Sequence, residues 1–220
     1  MKLGKFLFAT FLIAIIVCML ITVGMTVYQS VIDVLRDDNT QTLMRKAKYN
    51  NPARLRGLNL QPGEFTGYGS IELLAHYFKL GEPLPEKDKE RLNNRDFRAE
   101  LQKVFPDYNI AQYSNLRNTE LLDLMYDSLA AGNPAIIFHA AEQPDEENFE
   151  MRYSVVIGVN LPNNQIILLD PYGVAERYTI EAFIKSARFG NYEVTLYERL
   201  LFAFRIYSKN TVYIISMETD

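Results

Sequence analysis

Apolar and polar positions follow three different patterns along the chain, and the changes of pattern divide it. Phe6 to Val27, FLFATFLIAIIVCMLITVGMTV, is an unbroken run of 22 residues without a charge. At 1.5 Å per residue it covers the roughly 30 Å hydrocarbon layer of a bilayer, which predicts a transmembrane helix. A cleaved signal has an apolar core of only about 7–15 residues and ends at small residues, so retention as an anchor is the expectation. Beyond the run the pattern becomes mixed: Val31, Val34 and Leu35 keep near-helical spacing before a DDNTQ cluster. The NNPARLRGLNL stretch, Asn50 to Leu60, carries the proline, glycine and asparagines of a boundary. The organisation read from this is a short N-terminus at 1–5, a membrane helix at 6–27, a stalk at 28–52 and a folded domain at 53–220.

Within the domain the period is first helical. Ile71, Leu73, Leu74, Tyr77 and Phe78 form a stripe over Ser70–Lys79, and Leu92, Phe97, Leu101, Val104 and Phe105 form another over Arg91–Phe105. Asn118–Ala130 opens on an Asn/Thr cap with Glu120 nearby and stops at Gly132-Asn133-Pro134. The pattern then turns to short β-branched runs. Ala135–His139 and Arg152–Val159 predict a hairpin around the polar AAEQPDEENFE loop, and Gln165–Leu169 a third strand. Thr179–Ala187 predicts a helix and Val212–Ser216 a last strand, while Tyr197–Tyr207 suits a helix or a strand, with helix preferred. Helices first and a mostly antiparallel sheet afterwards make an α+β domain.

Composition and charge narrow the function. With 48% apolar and 23% charged residues the chain supports a packed core. The net charge of −4 becomes −6 once Lys2 and Lys5 are set aside, and no basic stripe is present, which argues against a nucleic-acid partner. Cys18, the single cysteine, lies in the membrane run, leaving the domain without a disulfide or a thiol nucleophile. His76 and His139 alone fall short of a metal cage, and no cofactor motif is present. Lys2 and Lys5 precede the apolar run, whereas Asp33, Asp37 and Asp38 outweigh Arg36 after it. The positive-inside rule therefore predicts a cytoplasmic N-terminus and an extracytoplasmic domain.

From roughly Leu60 to Phe189 the chain resembles the papain-like cysteine peptidases of bacteriocin maturation, which remove double-glycine leaders. In that family a glutamine precedes a cysteine, followed by glycine, a variable residue, a small residue and Ser/Thr, at the start of a helix that ends in an aromatic. Gln61, Thr66, Gly67, Tyr68, Gly69, Ser70 and Tyr77 hold that spacing, with Thr66 in the cysteine's place. GNPAIIF, RYSVVIGV and LLDPYG then follow the family's later blocks in order, and TIEAFIKS resembles its closing helix. Arg152 stands where the histidine belongs, and Asp170 is kept. The resemblance implies a papain-like arrangement of helices on the sheet and a degenerate catalytic centre.

In the family the thiolate attacks, the histidine moves the proton, the aspartate orients it and the glutamine binds the oxyanion. A threonine hydroxyl needs an adjacent base, and a guanidinium, with a pKa above about 12, is none. Nucleophile and base are thus lost together. Arg152 and Asp170 would meet as an ion pair, and Tyr68, Gly69, Arg152 and Asp170 would line a binding cleft. His139, expected across the hairpin from Arg152, is the candidate for a displaced base. His76, about 15 Å along the helix from Thr66, is not. The acidic run Asp145, Glu146, Glu147 and Glu150 reads as a solvated hairpin tip. Three functions remain open. One is a membrane-anchored pseudopeptidase binding a peptide or partner protein. The second is a hydrolase with Thr66 or Ser70 as nucleophile and His139 as base. The third is a structural subunit of a membrane complex.

Overall fold

A computed structural model describes residues 2–55, 69–78, 94–142, 149–171, 173–190, 192 and 194–217. Its helices are α1 (Lys2–Leu35), α2 (Gln41–Met44), α3 (Gly69–Tyr77), α4 (Asn94–Val104), α5 (Asn118–Ala130), α6 (Ile180–Ala187) and α7 (Leu196–Ala203). Its strands are β1 (Ala53–Arg54), β2 (Tyr108–Tyr113), β3 (Ala135–Glu142), β4 (Phe149–Asn160), β5 (Gln165–Leu169), β6 (Ala175–Tyr178) and β7 (Thr211–Met217). All described strand pairs are antiparallel, in the order β2-β7-β3-β4-β5-β6, with β1 also paired to β4. The α+β class with a mostly antiparallel sheet is therefore observed.

Helix α1 contains a stretch, Thr10–Leu35, that is long and apolar enough to cross a membrane, with a mean hydropathy of 2.6 and none of its window buried. The hydroxyls of Thr22, Thr26 and Ser30 donate to the carbonyls of Cys18, Thr22 and Thr26, four residues back, at 2.8–3.0 Å. Each hydroxyl is thus satisfied without water, as an apolar surrounding requires.

The predicted hairpin is the centre of the sheet. β3 and β4 pair from Ala135↔Val156 to Glu142↔Phe149, which sets His139 directly opposite Arg152. Both strands run beyond the predicted ends, because each pairs along its full length. Side chains alternate between faces, and both faces are covered. On one, Phe97 of α4 lies flat on Tyr153, with ring centroids 3.8 Å apart and 5° between planes. On the other, Ser186 of α6 reaches His139. Ile136, Ile137, Val155, Val156, Leu168 and Tyr213 form the buried centre, together with Leu121, Leu122 and Met125 of α5. A smaller cluster, Phe138, Ala140, Phe189, Phe202 and Tyr207, lies beneath α7.

The expected stalk divides into two parts. Residues 28–35 complete α1, while the segment after it folds onto the domain. Leu43 and Tyr49 are buried in the same core as the sheet residues. The Tyr49 hydroxyl donates to Asp123, and its ring meets Tyr126 edge-on at 4.8 Å. Tyr126 in turn donates to the carbonyls of Lys48 and Asn51 at 2.8 and 2.9 Å. Burial and the Asp123 bond, which is made with the neutral phenol, push the Tyr49 hydroxyl up to about 12.

The end of α1 is also held. Asp38 accepts from the Thr119 backbone N–H at 3.0 Å and from its hydroxyl. Asp37 accepts from Asn118 Nδ2 at 2.8 Å and from Arg188 at 3.0 Å, and Asp33 pairs with Lys209. One of the free N–H groups that open α5, that of Thr119, is therefore met by a carboxylate from 81 residues away, in place of the Asn/Thr cap expected from local sequence. Glu120 accepts from the Arg117 N–H at 3.0 Å, half of a capping box.

Candidate functional site

Gly69 and Ser70 open α3 at the foot of the sheet. The Ser70 hydroxyl donates to the Tyr153 carbonyl, and Ser70 is buried. A Cβ on Gly69 would overlap the carbonyl of Pro171, so glycine is required there by the close approach of two backbones. Gly69 therefore joins α3 to the Asp170-Pro171 turn and is buried by it. Gln61, Thr66, Gly67 and Tyr68 lie outside the described residues, as do Asp145, Glu146 and Glu147.

Asp170 follows β5 directly and shapes that turn. Its Oδ1 accepts from the Val174 N–H at 2.7 Å, and its backbone N–H donates to the Val174 carbonyl at 2.9 Å. Its Oδ2 lies 3.8 Å from Arg152 Nη1. The anticipated Arg152–Asp170 ion pair is present, and among the described residues Arg152 also pairs with Glu150 and Glu176. Arg152 Nε donates to Glu150 Oε2 at 2.8 Å, and Nη1 is 3.6 Å from Glu176. With the Arg152 side chain 11% exposed, one guanidinium sits among three carboxylates in a mostly water-excluded place. Glu176 also accepts from the Tyr178 hydroxyl at 2.6 Å, and burial, then this bond, pushes that phenol well above its usual range.

His139 lies opposite Arg152 but belongs to a separate network. It is entirely buried. Ser186 Oγ donates to the Ala140 carbonyl at 2.5 Å, which leaves its oxygen to accept from His139 Nδ1 at 2.9 Å. Nε2, 2.8 Å from Ser154 Oγ, then accepts the hydroxyl proton of Ser154. The bonding assigns the neutral Nδ1–H tautomer. Burial, with a smaller push from the Arg152 charge, holds this imidazole down to about 4. A neutral imidazole at pH 7 is basic in principle, but this one has both nitrogens committed to serines and no exposed surface.

No family model matches the chain, and neither does any curated protein sequence. Geometry alone therefore describes what the site can do. At the position where the resemblance places a proton-accepting histidine there is a permanently charged guanidinium fixed by Glu150, Asp170 and Glu176. Such a group orients or attracts, and it does not accept a proton.

Two further features were not anticipated. Glu150, read as part of a solvated tip, lies two residues before Arg152 on the same strand face, and the period of two was a local signal for that contact. The second feature is a cavity of about 930 Å³ between the end of α1 and α6, bordered by Asp33, Asp38, Arg45, Lys185, Arg188 and Lys209. It has no lining residue in common with the Arg152 cluster. Among the described residues, no group of three or more His, Cys, Asp and Glu side chains is arranged to hold a metal ion.

Proposed function

We propose that this protein is a membrane-anchored, non-cleaving relative of the papain-like leader peptidases that binds a peptide or partner protein. Helix α1 serves as the single membrane span, the N-terminus stays in the cytoplasm and the domain works on the far side. The observation that carries the reading is the fixing of Arg152 by three carboxylates at the place of the missing base. Burial of His139 between Ser154 and Ser186 supports it, because the candidate replacement base serves the core. The Asp170 turn, held against α3 through Gly69, keeps the surroundings of the former catalytic centre assembled without its chemistry.

The test uses the full chain in detergent micelles, a diverse peptide set, and a photo-crosslinking side chain at position 68. Crosslinking to peptides or to a co-expressed envelope protein without any peptide cleavage is the expected result. Peptide turnover that disappears in both Thr66→Ala and His139→Ala would replace this reading with that of a hydrolase. Association that survives loss of every crosslink at position 68 would move the binding surface elsewhere.

A further inference from the structure

Helix α7 has apolar residues on two sides, and among the described residues only one of them is covered. Phe202 and Ala203 are buried, and Leu201 packs on the cluster of Phe138, Phe189 and Tyr207. On the outer side Leu196, Leu200 and Phe204 recur every four residues, a single helix face, with Tyr197 beside them. Leu196 is 67% exposed, Tyr197 70% and Phe204 57%, and Ile206 continues the surface past the helix end. Glu198 and Arg199 interrupt the apolar surface of α7 on another side, so the strip of Leu196, Tyr197 and Phe204 is a contiguous exposed apolar patch of the kind that marks an interaction surface.

The position of α7 identifies what that surface meets. It packs against α1, and Lys209, which lies over the Phe202 ring, is paired with Asp33 near the end of α1. Asp33 is six residues beyond Val27, the last residue of the uncharged run. At 1.5 Å per residue this puts it at most about 9 Å beyond the edge of the hydrocarbon, at the outer boundary of the headgroup layer. Along the same part of α1, Tyr28, Val31, Val34 and Leu35 are all more than half exposed. Exposed Arg199 and Arg205 accompany the α7 apolar face. Aromatic and aliphatic side chains beside arginines are the chemistry of a helix lying in the plane of an anionic lipid surface.

We infer that α7 and the turn at 204–206 form a second membrane contact, lying flat in the headgroup region of the bilayer that α1 crosses, with Leu196, Tyr197, Leu200, Phe204 and Ile206 facing the lipid. This inference rests on α1 being membrane-inserted, and the test separates the two. The chain contains no tryptophan, so single tryptophans report cleanly. Phe11→Trp, Tyr197→Trp, Phe204→Trp and Met217→Trp would each be placed in the full chain. The variants are reconstituted in vesicles of phosphatidylcholine and phosphatidylglycerol carrying acyl chains brominated near the headgroup or near the chain end. Met217, 67% exposed at the far end of β7, is the water-facing reference.

Tyr197→Trp and Phe204→Trp should emit at shorter wavelength than Met217→Trp and lose emission most strongly to the shallow bromines. Phe11→Trp should lose emission in either lipid. If Phe11→Trp is quenched while Tyr197→Trp and Phe204→Trp both match Met217→Trp, the α7 contact is overturned and the anchor stands. If Phe11→Trp is unquenched, the anchor fails and the α7 contact falls with it.

Discussion

Burial of His139 makes the stability of the domain depend on pH in a calculable way. The folded protein holds this imidazole near 4, against about 6.5 in an unfolded chain. Between those values the unfolded chain binds a proton that the folded chain excludes, so stability rises with pH across this window. The contribution is complete above about pH 6.5, falls as the pH drops towards 4, and the full loss is about 3 kcal/mol. Going from pH 7 to pH 5 removes about 2 kcal/mol of it. The measurement is urea unfolding of the full chain in micelles, followed by near-ultraviolet tyrosine dichroism at both pH values. His139→Gln, with an amide donor and acceptor for Ser186 and Ser154 but no titration, is the reference. Wild type should lose about 2 kcal/mol more than the variant over this interval. Equal losses would refute the argument, because a protonatable His139 would then have to be reached by water or by a compensating carboxylate. Imidazole resonances provide a second reading, and His139 should show no titration between pH 8 and about pH 5.

Other perturbations test neighbouring parts of the molecule. Arg152→Met leaves Glu150, Asp170 and Glu176 without their shared cation and should cost about 3–5 kcal/mol in the same unfolding assay, with Arg152→Lys recovering only part. Gly69→Ala should push α3 from the Pro171 carbonyl and lower stability by about 1–3 kcal/mol, whereas Gly158→Ala, whose Cβ would meet only side-chain atoms of Ile167 at 3.2–3.4 Å and no backbone, should cost less. Asp38→Ala removes the cap on the Thr119 N–H, so a loss of about 1 kcal/mol is expected, with faster hydrogen exchange at the start of α5. In a Cys18→Ser background, Thr66→Cys should alkylate faster at pH 6 with Arg152 kept than with Arg152→Gln, because an adjacent permanent cation favours the thiolate. Equal rates would separate the two positions and remove the basis for the peptidase resemblance.

The parts of the fold set by local periodicity were readable from the sequence, and the parts set by distant partners were not. Leu121, Leu122, Met125 and Leu129 place α5 at its observed ends, and QIILL places β5. By contrast β2, YNIAQY, has a single large aliphatic residue, Ile110, and is a strand because β7 pairs with it from Tyr108↔Met217 to Tyr113↔Val212. β6, AERY, carries two charges and is likewise held by its neighbour β5. At the candidate site, the meeting of Arg152 with Asp170 was foreseeable from the order of the strands. Glu176 was not, since it arrives from β6. Asp33, Asp37 and Asp38 were legible as negative charge, but their bonds to Lys209, Arg188, Asn118 and Thr119 join segments roughly 80 to 176 residues apart. No local pattern contains such pairings.

The anchored end of α1 has a mechanical consequence. A span joined to its domain by a loose tether lets the domain sample every direction, and the bilayer acts only as a leash. Here the helix runs directly into the contacts of three carboxylates, Asp33, Asp37 and Asp38, so a membrane-inserted α1 would act as a lever arm. A span longer than the local hydrocarbon thickness relieves the mismatch by tilting. With the joint at Asp33–Asp38 held, that tilt turns the whole sheet. On the proposed reading, in which α1 spans the membrane and the Arg152 face binds a partner, the angle of that meeting becomes a function of the thickness of the membrane around the helix.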